Sequence, residues 1–197
     1  MSKKLVLSKI VILLLMTCKL YAFEKDAEQL IQFTTSKAKE IILDNNIKID
    51  EKKEKIEKIA LDVVDVDGLG RFTLGAFRKD LNDEQLKEYT KVFRIFFAKN
   101  ISSRLRNYSD QNIEVVDAKK INDNYVMVKS QMISKNDNQK IRIDWRVFKV
   151  KDKLVVRDLV IEGLSLAKTQ REEFNSILSS KGYDGLIIIL KDFISKN

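Results

Sequence analysis

The spacing of apolar residues along this chain changes period twice. From Glu24 to Asn45, apolar residues fall at Ala27, Leu30, Ile31, Ala38, Ile41 and Ile42, which is close to helical spacing. "NNIK" interrupts the pattern. A second helix is expected over Asp50 to Val64, with Ile56, Ile59, Ala60 and Val63 on one side and charge on the other. Its Val63–Val64–Val66 end also reads as strand. In "DGLGRFTLGAFRKDL", Leu69, Phe72 and Ala76 share a face, and Gly70 and Gly75 sit inside the pattern. Each internal glycine costs about 1 kcal/mol against alanine in a helix. The spacing therefore predicts either a weak helix or one that admits the close approach of another element or a ligand. "NDEQLKEYTKVFRIFFAKNISSRLRNY" carries the strongest helical signal. Asn82 with Gln85 three residues on makes a capping-box start. Leu86, Tyr89, Phe93, Phe97, Ile101 and Leu105 then repeat at three or four residues, and Phe96 widens the stripe. Such a face is either plain core or the wall of a ligand site.

After Tyr108 the period becomes two. Strands are expected near Ile113 to Asp117 and in "NYVMVKSQMI", "QKIRIDWRVFKV" and "KLVVRDLVIEG". In the third, Ile141, Ile143, Trp145 and Val147 alternate with Arg142, Asp144 and Arg146, which predicts one dry and one wet face. The connectors "NDN", "NDNQ" and "KDK" are of hairpin length, so the strands read as an antiparallel meander. Helical spacing then returns. Thr169 with Glu172 makes another capping-box pattern, Phe174, Ile177 and Leu178 face inward, Gly182 suits a left-handed cap, and Asp184 suits the start of a last helix. Helices, a four-stranded antiparallel meander and helices again make an α+β domain with helices packed on one sheet face.

Composition changes the picture at the amino terminus. "MSKKLVLSKIVILLLMTCKLYA" has a basic start, an apolar centre from Ile10 to Met16 and a small residue at Ala22. That is the form of a secretory signal peptide, and the apolar run is too short for a stable membrane anchor. The reading divides the chain into a leader, residues 1–22, and a single domain, residues 23–197. A lipidated Cys18 is the alternative, although Thr17 before it is bulkier than usual there. Cleavage removes Lys3, Lys4, Lys9 and Lys19 from a chain with 37 basic and 29 acidic residues. What remains is mildly basic, without the concentrated positive field of a nucleic-acid binder. Cys18 is the only cysteine, so the mature chain has no disulfide, thiolate metal site or cysteine nucleophile.

The candidate chemistry is thin. Ser165 lies where an apolar run turns into a helix, as hydrolase nucleophiles do, but the chain has no histidine to take its proton. "GLSLA" also has Ala167 where the nucleophile-elbow pattern wants a second glycine. The cheaper reading is that Gly163 permits a turn and Ser165 bonds locally. Asp158 and Glu162, at i and i+4 of a strand pattern, offer two carboxylates for acid/base work. Cross-strand pairing with Arg142, Arg146 or Arg157 accounts for them more simply. "DVVDVDGLG" lacks the order of a calcium loop. The basic face of Arg142, Arg146, Lys149, Lys151 and Lys153 is either a solvated face or a partner for anionic headgroups and acidic surfaces. An exported domain with a large apolar interior and no reactive constellation reads as a carrier or binding module, with an apolar cavity between sheet and helices. An envelope adaptor with a filled core and a small exported hydrolase using Asp158, Glu162 or Ser165 are the competing readings.

"RDLVIEGLSLAKTQREEF" followed by "GYDGLIIIL" resembles the carboxy-terminal signature of the MlaC, or toluene-tolerance, family. The matching residues are Asp158, Glu162, Gly163, Ser165, Arg171 and Phe174, with Gly182 and Leu186 beyond. "LGAFRKDLNDEQLKEYTKVFRIFF" is similar to the family's Leu-Gly, cap and aromatic-helix segment. The likeness runs from about Leu61 to Leu190 and departs at Leu154, where the family often has tryptophan. The resemblance implies a periplasmic phospholipid carrier with no cofactor and phospholipid as cargo. It also implies partners: an inner-membrane ABC transporter complex with an MCE-type subunit, and an outer-membrane lipoprotein complex. Periodicity, not a family motif, nominates the side chains that contact the acyl tails: Phe72, Phe93, Phe97, Met127, Ile143, Trp145, Val147, Leu159 and Ile161. Gly163, Ser165 and Arg171 are assigned to the turn, the helix start and an ion pair with Glu162.

Overall fold

The computed structural model describes residues 3–104, 111–134 and 139–197, with side chains from Phe23 onward. Leu105, Tyr108, most of the "NDNQ" connector and the side chains of the leader segment lie outside the described residues. Helix α1 (Lys3–Leu43) lays its sheet-facing stripe, Ala27 and Ile31, against Val126, Val128, Val147 and Val156. Two hydrogen bonds fix its direction. The Glu24 carboxylate accepts from the Lys120 N–H at 2.8 Å, and Lys39 Nζ donates to Asn112 Oδ1 at 2.7 Å. The helix therefore runs antiparallel to the first strand.

Helix α2 (Ile49–Val63) ends where the sequence is ambiguous between helix and strand, and both readings are realised. Val64 leaves the helix and forms a parallel bridge to Val156, and the Asp65 N–H donates to the Val156 carbonyl at 3.0 Å. Asp65 then caps α3 (Val66–Thr73): one carboxylate oxygen accepts from the Gly68 N–H at 3.0 Å, the other from Arg157 Nε at 2.8 Å. Asp67 pairs with Arg94 at 2.8 Å, so these two aspartates of the calcium-like stretch serve a cap and an ion pair. Gly70 lies against the Phe93 ring, where an added Cβ would stand 2.9 Å from a ring carbon. The glycine marks a close helix approach. A 3-10 turn (Gly75–Lys79) follows, entered through Gly75 at φ 59°. Helix α4 (Asp83–Ser102) starts on the expected capping box, with both the Asn82 and Gln85 side-chain bonds made.

The sheet is antiparallel in the order β1 (Asn112–Asn122), β2 (Tyr125–Ile133), β3 (Lys140–Val150), β4 (Lys153–Ile161) and β5 (Leu164–Ser165). It has five strands rather than the four expected, because the chain turns back for two residues before its last helix. Helix α5 (Leu166–Lys196) is capped by Ser165, one turn earlier than the Thr169–Glu172 pattern suggests. The Thr169 hydroxyl instead bonds the Ser165 carbonyl at 3.1 Å. Gly182 breaks α5 with φ 67° and ψ −173°. That is a positive-φ break with extended ψ, open essentially to glycine alone, rather than the left-handed cap expected.

The apolar interior divides. One cluster lies among α3, α4 and α5 around Phe93, Phe96, Phe174 and Leu186. Another joins α1 to the sheet. A small third joins Ile41 of α1 to Ile56 of α2. Tyr89 sits within the helical cluster with its hydroxyl 2.8 Å from Thr73 Oγ1, and burial pushes the phenol well above its ordinary range. Unfolding exposes a phenol that titrates near pH 10. The folded state keeps that proton to higher pH, so stability is whole below about pH 10 and falls as pH rises beyond it. Tyr89→Phe is expected to flatten that alkaline decline relative to the unmodified protein in urea titrations between pH 8 and 11.

Candidate functional site

Strand register places the inner-face side chains in rows. The first is Val126, Val147 and Val156, fully covered by α1. The second is Ala118, Val128, Trp145 and Leu159. The third crosses all five strands as Val115, Ser130, Ile143, Ile161 and Leu164. The valine row is closed, whereas Trp145, Leu159 and Ile161 are only half-buried. Helix α1 covers the closed end, and α4 lies in a second layer, packed mainly on α2, α3 and α5. Apolar surface is thus left partly uncovered on the inward side of the sheet.

The one polar atom of the Trp145 ring is satisfied within the sheet. Its Nε1–H donates to Ser130 Oγ at 2.9 Å, and the Ser130 hydroxyl donates to the Ile143 carbonyl at 3.1 Å. The indole can then offer hydrocarbon without an unpaired buried donor.

Of the residues nominated from periodicity, the structure brings four together: Ile143 lies opposite Ile161, and Trp145 opposite Leu159. Val147 lies on the same face in the closed row. Phe93 is buried in the helical cluster, stacked with Tyr89 and edge-on to Phe174. Phe97 is half-buried at the margin of that cluster. Met127 projects from the opposite sheet face, between Lys119 and Arg146, because Val126 and Val128 take the inward positions of β2. Phe72 is 38% exposed beneath the Arg171 guanidinium, 5.0 Å from the ring centroid. The proposed Arg171–Glu162 pair is therefore not made. Glu162 instead bonds the backbone of Arg142 through both its N–H and its carboxylate. Val115, Ser130 and Leu164 belong to the third row and escaped the sequence reading, since only register shows that they share it.

The outer face holds a polar knot. Asp158 accepts from the Ser165 hydroxyl at 2.6 Å and the Ala167 N–H at 3.0 Å, and pairs with Arg146 at 3.2 Å. Ser165 Oγ accepts from the Lys168 N–H at 3.1 Å. The serine proton is thus directed to a carboxylate already held by an arginine, which makes a helix cap. The basic residues separate: Arg142 and Arg146 pair with Asp144 and Asp158, whereas Lys151 and Lys153 stand at the β3–β4 turn. Two open hollows lie on the surface. One of about 480 Å3 lies between α1 and α2, among Lys37, Ile41, Lys55, Lys58 and Ile59. The other, about 400 Å3, lies beside the β3–β4 turn. Neither is lined by a nominated residue or lies between sheet and helices, where the sequence leads one to expect a cavity.

The family model described as MlaC protein matches residues 32–192. The chain belongs to the MlaC family. The match runs from the last third of α1 to the last turns of α5. A relative from Haemophilus influenzae, the intermembrane phospholipid transport system binding protein MlaC, is 26% identical over 139 residues, 69% of this chain and 65% of that protein. The chain thus spans just under two thirds of that relative's length. The phospholipid-binding protein from Ralstonia solanacearum, solved with a phospholipid, superposes with a TM-score of 0.71 at 19% identity, over 86% of this chain and 97% of the other. The arrangement of helices and antiparallel sheet is therefore shared with that structure.

The polar knot makes a direct prediction. Ser165→Ala is expected to cost about 1 kcal/mol through loss of the cap. Asp158→Ala should cost about 2 kcal/mol or more, because it leaves the Ala167 N–H and Arg146 without their partner. Chemical denaturation of the two variants checks both values and their order.

Proposed function

We propose that this chain is a periplasmic phospholipid carrier, exported by residues 1–22, rather than an enzyme. In this reading it moves phospholipid between an outer-membrane lipoprotein complex and an inner-membrane ABC transporter complex with an MCE-type subunit. The observation that carries the reading is the family match over residues 32–192. The Haemophilus relative's name and the phospholipid held by the Ralstonia neighbour support it.

The physics requires such a carrier to be a container. Each methylene withdrawn from water contributes about 0.8 kcal/mol, so two acyl chains of about thirty methylenes favour an apolar interior by roughly 25 kcal/mol. Free diffusion across an aqueous compartment is closed to such a molecule. The protein must supply hydrocarbon contact over most of that surface without exceeding what its partners supply, or release fails. The half-buried side chains of Trp145, Leu159 and Ile161, with Ile143 buried beside them, are the place proposed for the tails, with Val147 as floor and Phe97 at the helical margin. Among the described residues no group of three or more histidine, cysteine, aspartate or glutamate side chains is placed to hold a metal ion. Phospholipid is cargo in this reading, and no cofactor is assigned.

Native mass spectrometry of protein purified from the envelope without added lipid tests the proposal. Phospholipid-mass adducts are expected on the unmodified protein. Ile161→Asp should retain about a tenth or less, since a charge facing the tails removes more than one side chain's worth of apolar contact. A reproducibly lipid-free protein would favour the adaptor with a filled core.

A further inference from the structure

The third inward row crosses the whole sheet and does not end in the interior. Ser130 and Ile143 are almost fully buried, Ile161 is half-buried, and Leu164 is 69% exposed. Leu164 pairs with Ile161 in register, so it projects from the same face as the nominated tail contacts, one strand further toward solvent. A leucine so placed loses hydrophobic stabilisation that a polar residue would not forgo.

The backbone holds it there. The turn between β4 and β5 passes through two positive-φ residues, Glu162 at 49° and Gly163 at 87°. On one side, the Glu162 N–H donates to the Arg142 carbonyl at 3.0 Å, and its carboxylate accepts from the Arg142 N–H. On the other, Ser165 is tied to Asp158 and caps α5. Leu164 sits between these two anchors. Its exposure therefore follows from fixed geometry rather than from a loose loop.

From this we infer that Leu164 is the lip of the tail site: the first apolar side chain that an acyl chain meets on leaving a bilayer and the last it leaves on delivery. This rests on the carrier reading and adds a route of entry to it, over the β4–β5 edge of the sheet and along Leu164, Ile161 and Ile143. The lip acts on transfer rate more than on final occupancy, because a loaded tail is held by the deeper rows.

The test follows loading of delipidated protein from vesicles of phosphatidylethanolamine and phosphatidylglycerol that carry a fluorescent phosphatidylglycerol. Initial rate and final occupancy are recorded separately. Leu164→Asp is expected to slow loading about five- to tenfold, the equivalent of burying part of one leucine side chain, with a smaller loss of final occupancy. Leu164→Met should restore most of the rate. Ile188→Asp, at another leucine-sized exposed position (66%) on α5, should load at the unmodified rate. Thermal unfolding of each variant confirms that it is folded. Equal slowing by Ile188→Asp, an unchanged rate in Leu164→Asp, or an equal fall in rate and occupancy would overturn the lip while leaving the carrier intact. Failure of the unmodified protein to load from any vesicle would remove the carrier reading, and the lip with it.

Discussion

The register of the β2–β3–β4 meander is the constraint on which the rest of this structure depends. A one-residue slip in a strand exchanges its two faces, so the identity of the dry face is decided by pairing. Here the decision includes an irregularity. Arg146 pairs with Asp158 but Val147 pairs with Val156, which leaves Arg157 as an extra residue in β4. Through that bulge Val156 faces α1, while Asp158 faces the start of α5. Arg157 is freed to reach the Asp65 cap at the start of α3. One bulge thus serves both sheet faces and the junction of α2 with α3.

The two faces carry opposite duties. The outer face beside α5 is closed by polar bonds that are directional: Asp158 receives a hydroxyl and a backbone N–H from the start of the last helix and a guanidinium from β3. The inner face is held by apolar contact, which is not directional and can be left incomplete. A carrier needs that incompleteness. A core packed to crystal density on every side has no space for a guest. In this chain the close packing is concentrated around Phe93 and Phe174, and under α1. Stability is thereby secured away from the half-buried rows at the other end of the sheet.

Ser165 illustrates how local geometry separates two readings of one motif. A serine at a strand-to-helix turn is compatible with a nucleophile or a cap. Its oxygen accepts from the Lys168 N–H while its proton goes to Asp158, so both halves of the hydroxyl have structural partners. The turn that carries Ser165 is the same turn that presents Leu164, so the cap and the exposed leucine are consequences of one backbone path.

Local chemistry was sufficient, in the sequence alone, for the main helices and the four long strands of this protein. The Asn82–Gln85 box needed only residues three apart. The alternation around Trp145 needed only a period of two, and the Gly182 break only the absence of a Cβ. Tertiary structure decided what spacing is unable to express. Period two does not say which face is dry, so Met127 and Trp145 look alike until Val126 and Val128 are seen beneath α1. Period three to four does not say whether an aromatic stripe meets a helix or a guest, and Phe93 meets Tyr89, Phe96 and Phe174. The cap of α5 passed from Thr169 to Ser165 because Asp158, seven residues earlier, reaches across the turn to hold it. Each of these outcomes depends on contacts between residues distant in sequence or on opposite strands, where free energy is set by which surfaces meet rather than by the order in which they are written.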